Sequence, residues 1–263
     1  PDYMVVKTNN SAFETDTSAT LGTNLIGYWK LDETSGTRVD AAGANDLTDN
    51  NTVTSATGKK SNAGQFTAAN SEKLSIPYNT SLGFGDIDVT YSAWVYLDSG
   101  GADRHILTLW DDNGVGKEKF RLWYIASTNK FKVAFADTNS TTIGQAQADT
   151  FGTVSTATWY FLVVYHDSVN NRVGISVNNG PFDTAATTGV PTDDSIPFAI
   201  GALSNTAGQY WDGRIDEVGF WKKILTAQEI TDLYNSGSAN TCTDDCNTSV
   251  NPAAPGYKLL MEN

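Results

Sequence analysis

The sequence predicts an all-β protein: a sandwich of antiparallel strands joined by polar turns, with one short helix near its C-terminal end. Three observations carry this. The 263 residues include 7 Trp, 11 Tyr, 11 Phe and 23 Gly and are rich in Thr, Asn and Ser, a bias that favours strands and turns over helices. About a dozen short apolar-polar runs recur at the spacing of a sandwich. The stretch GRIDEVGFWKKILTAQEITDLY, Gly213 to Tyr234, reads as one strand followed by one capped helix. A chain of this length buries a full core in one domain, expected over residues 24–237, between an N-terminal arm (1–23) and a C-terminal tail (238–263).

Residues 1–23 are polar with little periodicity, which describes an extended arm that docks on something else or a mobile leader. LIGYWKLDETSG then gives a first strand with Trp29 and Leu31 inward and Lys30 and Asp32 outward. From Asp40 to Asn62 the text is turn-rich, with a short strand at Leu47, and two more strands lie near Phe66 and Leu74 to Ile76. Pro77 places the end of the second at a sheet edge. In DVTYSAWVYLD, Tyr91, Ala93, Val95 and Leu97 share one face and Ser92, Trp94 and Tyr96 the other, as in a central strand covered on both sides. HILTLW, FRLWYI and KFKVAFAD come next at hairpin spacing, and Phe131, Val133 and Phe135 oppose Lys130, Lys132 and Ala134. WYFLVVYHD is a second two-sided strand, NRVGISVNNGPF its hairpin partner, FAIGAL a strand and QYWDG a turn.

In the last stretch Val218 and Phe220 alternate with Glu217 and Gly219. Thr226 to Glu229 spell a capping box, Leu225 and Ile230 can staple across it, and Gly237 is placed to end the helix. Ile230, Leu233 and Tyr234 share the face expected to cover one end of the sandwich.

The net charge of −13 argues against a nucleic-acid partner, which needs clustered Lys and Arg. No run approaches the roughly 18 apolar residues of a membrane-spanning helix. Cys242 and Cys246 can close one small-loop disulfide in an oxidising setting, and no neighbouring His completes a zinc site.

YWKLDETSG, YSAWVYLD, TWYFLVVYHDSVNNRVGISVNN, AIGAL and GRIDEVGFWKKILTAQEITDLYNSG succeed one another over residues 24–237. In that order they resemble the LamG-like jelly-roll domains of the concanavalin A-like, laminin-G-like lectin/glucanase superfamily. The resemblance implies a two-sheet antiparallel jelly-roll sandwich, one sheet concave and one convex, with first and last strands adjacent. It does not imply one activity, since similar domains bind glycans or proteins, adhere to surfaces or accompany catalytic domains. The leading expectation is a non-catalytic recognition or adhesion module, extracellular or on a particle surface, that binds carbohydrate or a partner protein. The alternative is a structural or decoration protein of a virus or phage particle, its arm and its tail PGYKLLMEN docking on neighbouring virion subunits.

A glycoside hydrolase is disfavoured, because such enzymes of this fold carry spaced carboxylate pairs on one strand. Here Glu118 stands alone and Asp216 and Glu217 are adjacent. His105 and His166 lack a nearby nucleophile and read as strand-end hydrogen-bonding residues.

For a ligand, Arg121 and Trp123 should project outward beside Lys132, an indole next to hydrogen-bonding groups that suits a sugar's C–H face. Trp110 with Asp111, Asp112 and Asn113 is a second combination, and Tyr210 with Trp211 a third; each aromatic also reads as packing against a loop. Asp216 shares the parity of Val218 and Phe220, so its carboxylate should turn inward, where leaving it unpaired is costly. A structural Ca2+ held by Asp216, Asp32 and backbone carbonyls would compensate it, as related folds imply. An ion pair with Arg214 or Arg38, or bonds from backbone N–H groups, would serve as well.

Overall fold

The computed structural model describes residues 18–110, 118–137, 139–191, 195–204 and 208–241. In chain order it contains helix α1 (Ser18–Leu21), then β1 (Leu25–Trp29), β2 (Thr48–Asn50), β3 (Thr54–Thr57), β4 (Asn62–Phe66), β5 (Lys73–Ile76), β6 (Val89–Leu97) and β7 (Arg104–Trp110). Next are β8 (Glu118–Ile125), β9 (Lys130–Ala136), β10 (Thr142–Gln147), β11 (Trp159–Asp167), β12 (Arg172–Val177), β13 (Asp183–Ala186), β14 (Phe198–Ile200), β15 (Gly213–Trp221) and helix α2 (Ala227–Tyr234). The protein is all-β, as expected, with all strand pairs antiparallel.

One sheet runs β13-β12-β11-β6-β15-β4-β3, with β1 also paired to β15; the other runs β10-β9-β8-β7-β14-β5-β2. First and last strands are neighbours, as the resemblance implies. Between the sheets, Tyr91, Val95 and Leu97 of β6, Phe120 and Leu122 of β8 and Phe131 and Phe135 of β9 belong to one core. Tyr91 is stacked between Phe120 and Phe220, with ring centroids 4.2 and 4.3 Å away. The alternation read for β6, β8 and β9 therefore puts the expected residues inside.

Three features of the sheets and of what covers them differ from expectation. β5 lies between β14 and β2, so Pro77 comes after an interior strand and not an edge one. Strands β3, β10 and β13 carry no clear sequence signal; TSAT, TIGQAQ and DTAA are small and polar, with little of the β-branched and aromatic content that marks a strand. Helix α2 lies on the outer face of the β1-containing sheet, not at an end of the sandwich. The outward positions of that sheet hold Trp94, Phe161 and Trp221, and Ile230 and Leu233 complete a second apolar cluster over them. Tyr234 stacks on Trp94 at 5.7 Å. Each such side chain taken out of water contributes about 1.5–3 kcal/mol, so this face is where a lone amphipathic helix gains most.

The cap forms as read: Thr226 Oγ1 accepts from Glu229 N–H at 3.2 Å, and Glu229 Oε2 accepts from Thr226 N–H at 2.8 Å. The helix stops earlier than expected, at Asn235 with φ of 45°, a left-handed conformation that Asn tolerates. The packed body also passes both expected boundaries. Leu21 and Ala239 join the outer cluster, and Trp221 Nε1 donates to the Leu21 carbonyl at 2.7 Å.

Candidate functional site

The two carboxylates in β15 are placed by a change of neighbour. Up to Ile215 the strand pairs with β4, and from Val218 it pairs with β1. In the gap the ladder to β6 also slips, and Glu217 takes φ of 48°. This is a bulge, and it reverses the parity of the residues beyond it. Ile215 is in the core together with Val218 and Phe220, so Asp216 does not share their face; it stands opposite Trp94 of β6, whose ring lies in the outer cluster. The inward placement expected for Asp216 is corrected on that ground.

Asp216 is nevertheless 0% exposed. Its Oδ2 accepts from the Lys59 and Lys60 N–H groups at 2.7 and 2.9 Å, while Oδ1 has no hydrogen-bond partner among the described residues. Of the possible compensations, the backbone N–H groups are present. Arg214 instead donates to Gln65 and the Thr57 carbonyl, and Arg38 to the Gly36 and Val53 carbonyls. Burial pushes the Asp216 carboxyl up to about 8, with Glu217 and Asp32 adding to the rise and the two N–H bonds opposing it. Burial likewise raises Glu217 to about 7, opposed chiefly by the bond from the Tyr28 hydroxyl.

The fit to Ca2+ is partial. Asp216 Oδ1 is a free buried oxygen, but Asp32 Oδ1 accepts from Asn62 N–H at 2.9 Å. Among the described residues no group of three His, Cys, Asp or Glu side chains comes together to hold a metal, whereas Ca2+ takes six to eight oxygens. A proton on Asp216 serves the same electrostatic purpose.

Helix α2 packs on one sheet, and the expected ligand residues Arg121, Trp123 and Lys132 belong to the other. There Trp123 of β8 is flanked by His105 of β7 and Lys132 of β9. Arg121 and Trp123 turn away from the core residues Phe120, Leu122 and Tyr124, as expected. Trp123 is only 5% exposed, however, and Trp110 2%. The Arg121 guanidinium lies between the two indoles, 4.2 Å from the Trp110 ring and 4.3 Å from that of Trp123, and covers both. Neither ring is an open platform for a sugar. Trp211 is a core residue at 0% exposure, held by Nε1 donating to the Arg214 carbonyl. Tyr210 beside it is half-buried, its carbonyl accepting from Arg104. Asp111, Asp112 and Asn113 lie outside the described residues.

His166 Nδ1 lies 3.1 Å from the Ile87 carbonyl, the hydrogen-bonding role expected of it. His105 departs from that expectation. It is fully buried and stacked on Trp123, and neither ring nitrogen has a geometrically sound hydrogen bond among the described residues. Burial and the adjacent Arg121 lower its pKa to about 3, so the imidazole stays neutral.

Lys132, one of the expected ligand residues, lines a cavity. A groove of about 370 Å³ is lined by Lys132, Gln145, Gln147, Asp149, Asp183 and Thr184, with Ala146. Strand β10 supplies the amides: Gln145 and Gln147 stand opposite Ala134 and Lys132 of β9, while Ala146 between them joins the core. This alternation in TIGQAQ was the available signal, obscured by the strand's weak composition. Asp149 Oδ1 accepts from Lys130 Nζ at 2.6 Å and Gln147 Nε2 at 2.8 Å, which holds its pKa below the ordinary carboxylate value. Asp183 accepts the Thr150 N–H on one oxygen and the Thr150 hydroxyl on the other. Burial, with Arg121 second, lowers the Lys132 pKa.

The lining thus offers amide, ammonium and carboxylate groups, the donors and acceptors that match hydroxyls. General-acid chemistry needs a carboxyl kept protonated at the cleft, and Asp149 is held in the opposite state. The acids with raised pKa, Asp216 and Glu217, are buried in β15, outside the groove's lining.

Residues 68–231, more than half of the chain, match the family described as the concanavalin A-like lectin/glucanases superfamily. No curated protein matches the chain. Among solved structures it resembles the binding domain of Paraclostridial Mosquitocidal Protein 1, with a TM-score of 0.64 and 16% identity over 82% of this chain and 53% of that one. Domain 4 of AbnA, a GH43 extracellular arabinanase from Geobacillus stearothermophilus in complex with arabinotriose, matches with a TM-score of 0.59 and 17% identity over 82% and 98%. The Botulinum neurotoxin serotype D ligand binding domain in complex with N-acetylneuraminic acid matches with a TM-score of 0.62 and 12% identity over 84% and 52%. The chain therefore spans about half the length of the two toxin domains. At these identities the likeness speaks for the fold.

Proposed function

Since this chain belongs to the concanavalin A-like lectin/glucanases superfamily, we propose that it is a non-catalytic carbohydrate-recognition module acting outside the cell or on a particle surface. The observation that carries this is the groove at the sandwich edge where β10 of one sheet meets β13 of the other, where Lys132, Gln145, Gln147, Asp149 and Asp183 line one cavity. Such groups orient a polyhydroxylated ligand, and none of those with a resolved pKa shift is poised as a general acid. No helix among the described residues is long and apolar enough to cross a membrane.

The test is a glycan array and then titration of its best ligand into wild type and Lys132→Ala. Loss of one charged hydrogen-bonding group should weaken binding about tenfold. Unchanged affinity in Lys132→Ala would move the site away from this groove. The alternative of a virion subunit depends on residues 1–17 and 242–263, which lie outside the described residues. Structural Ca2+ at Asp216 and Asp32 is kept as part of the proposal, with chelation as its test.

A further inference from the structure

Helix α2 does not cover the whole outer face of its sheet. It packs over Trp94 and Phe161, which Tyr234 meets at 5.7 and 5.9 Å. Two residues further along β6, and two back along β11, a second row begins. Trp159 of β11 stands opposite Tyr96 of β6, Tyr96 opposite Arg214 of β15, and Arg214 opposite Gln65 of β4. Residues paired in this way project from the same face of a sheet. That face is the outer one, because Val95, Leu97, Tyr160, Ile215 and Phe66, their chain neighbours, lie in the core. All four members of the row are half-buried, whereas Trp94 under the helix is 2% exposed.

The row is held in place by its own contacts. The Tyr96 and Trp159 rings are 5.4 Å apart with planes at 59°, and the Arg214 guanidinium lies 4.6 Å from the centre of the Tyr96 ring. Arg214 Nε donates to Gln65 Oε1 and Nη1 to the Thr57 carbonyl, both at 3.2 Å. Side chains fixed in this way lose little entropy when a ligand arrives. An indole beside a guanidinium offers a stacking surface and a charged donor over adjacent strands.

Charge narrows the ligand class. The chain has 30 acidic and 17 basic side chains, and Arg104, Lys130 and Lys223 each meet a carboxylate. Among the described residues Arg214 has none within ion-pair distance, and both of its hydrogen-bond acceptors are neutral. Asp98 is exposed and accepts from Gln65 Nε2 at 3.0 Å, on the far side of that amide. A second cation, Lys59, lies over Trp94 in the neighbouring row. The groove is the opposite case, since there Asp149 and Asp183 share the lining with Lys132. A guanidinium whose charge is not met within the protein is best matched by a carboxylate from outside it. We infer that Trp159, Tyr96 and Arg214 form a second glycan-binding surface, separate from the groove, on which a sugar ring stacks against Trp159 and presents a carboxylate to Arg214; the inference rests on the carbohydrate reading above.

Isothermal titration of the full chain with N-acetylneuraminic acid, trigalacturonic acid and cellotriose tests this in wild type, Trp159→Ala, Arg214→Gln and Lys132→Ala, with melting curves to verify folding. The expected result is that an acidic sugar binds wild type, that Trp159→Ala and Arg214→Gln each weaken it about tenfold, and that Lys132→Ala leaves it within twofold. Arg214→Gln carries the test on its own if Trp159→Ala unfolds. Acidic sugars that bind both row variants within twofold of wild type would overturn the second surface. Cellotriose binding lost in Trp159→Ala and kept in Arg214→Gln would overturn the acidic class. A chain that binds no acidic sugar, yet binds a neutral glycan through Lys132, would overturn the inference and leave the carbohydrate reading standing. A wild-type chain that binds none of the three, nor any glycan on the array, would remove both.

Discussion

Asp216 links a single side chain to the stability of the whole. In an unfolded chain its carboxyl titrates near 4, while in the fold burial raises it to about 8; Glu217 takes the same course to about 7. Both folded values exceed the unfolded ones, so the stabilising contribution of these protons is full below about pH 4 and is lost as pH rises through 7 to 8. Each proton involved changes stability by about 1.4 kcal/mol per pH unit in that window. Asp216→Asn keeps an acceptor for the Lys59 and Lys60 N–H groups and carries no titrating proton. It should raise the melting temperature at pH 8 and leave it nearly unchanged at pH 4; parallel melting profiles across that range would contradict the protonated-carboxyl account. A resident Ca2+ gives the reverse pattern, in which EDTA lowers the wild-type melting temperature at pH 8 and Asp216→Asn reproduces the loss. The sequence showed that this carboxylate needs compensation but not which way it faces. The reversal comes from a bulge at Glu217, and a non-glycine residue at φ of 48° leaves no turn signal in the letters.

At the scale of elements, helix α2 was readable where its information is local and unreadable where it is not. Thr226 and Glu229 cap each other through bonds that span three residues, so the capping box can be read from spacing alone. Thr226→Ala should cost about 1 kcal/mol, seen as a lower denaturant midpoint with unchanged slope. An unaltered midpoint would mean that packing on Trp94 alone holds the helix. Its docking place depends on Trp94, Phe161 and Trp221, which come from β6, β11 and β15 and become one patch only when those strands are aligned. Strand β10 is obscure in sequence for a different reason. Gln145 and Gln147 alternate as a strand's polar face should, but Thr, Gly, Gln and Ala supply little β-propensity. The part of the candidate site that was legible, Lys132, sits on the strongly alternating β9; the part that was missed sits on β10 and in the turn after it.

For the whole molecule, the two outer faces have different fates. The one on the β1-containing sheet carries α2, Leu21 and Ala239 over Trp94, Phe161 and Trp221, and the groove lies at the edge where β10 of the other sheet meets β13. Chain ends matter only through residues beyond this body. Removing residues 1–17 or 242–263 should leave glycan affinity within twofold of the full chain, because the groove lies on β9, β10 and β13. Loss of particle assembly in those truncations, with no glycan bound by either form, would favour the virion-subunit alternative. The central claim, that this sandwich holds a sugar and does not cleave it, is tested most directly by saturation-transfer NMR on the wild-type chain with neutral oligosaccharides over a prolonged incubation. The account predicts transfer to the sugar's C–H protons with no new reducing-end anomeric signals; accumulating anomeric signals, or no transfer to any sugar, would contradict it.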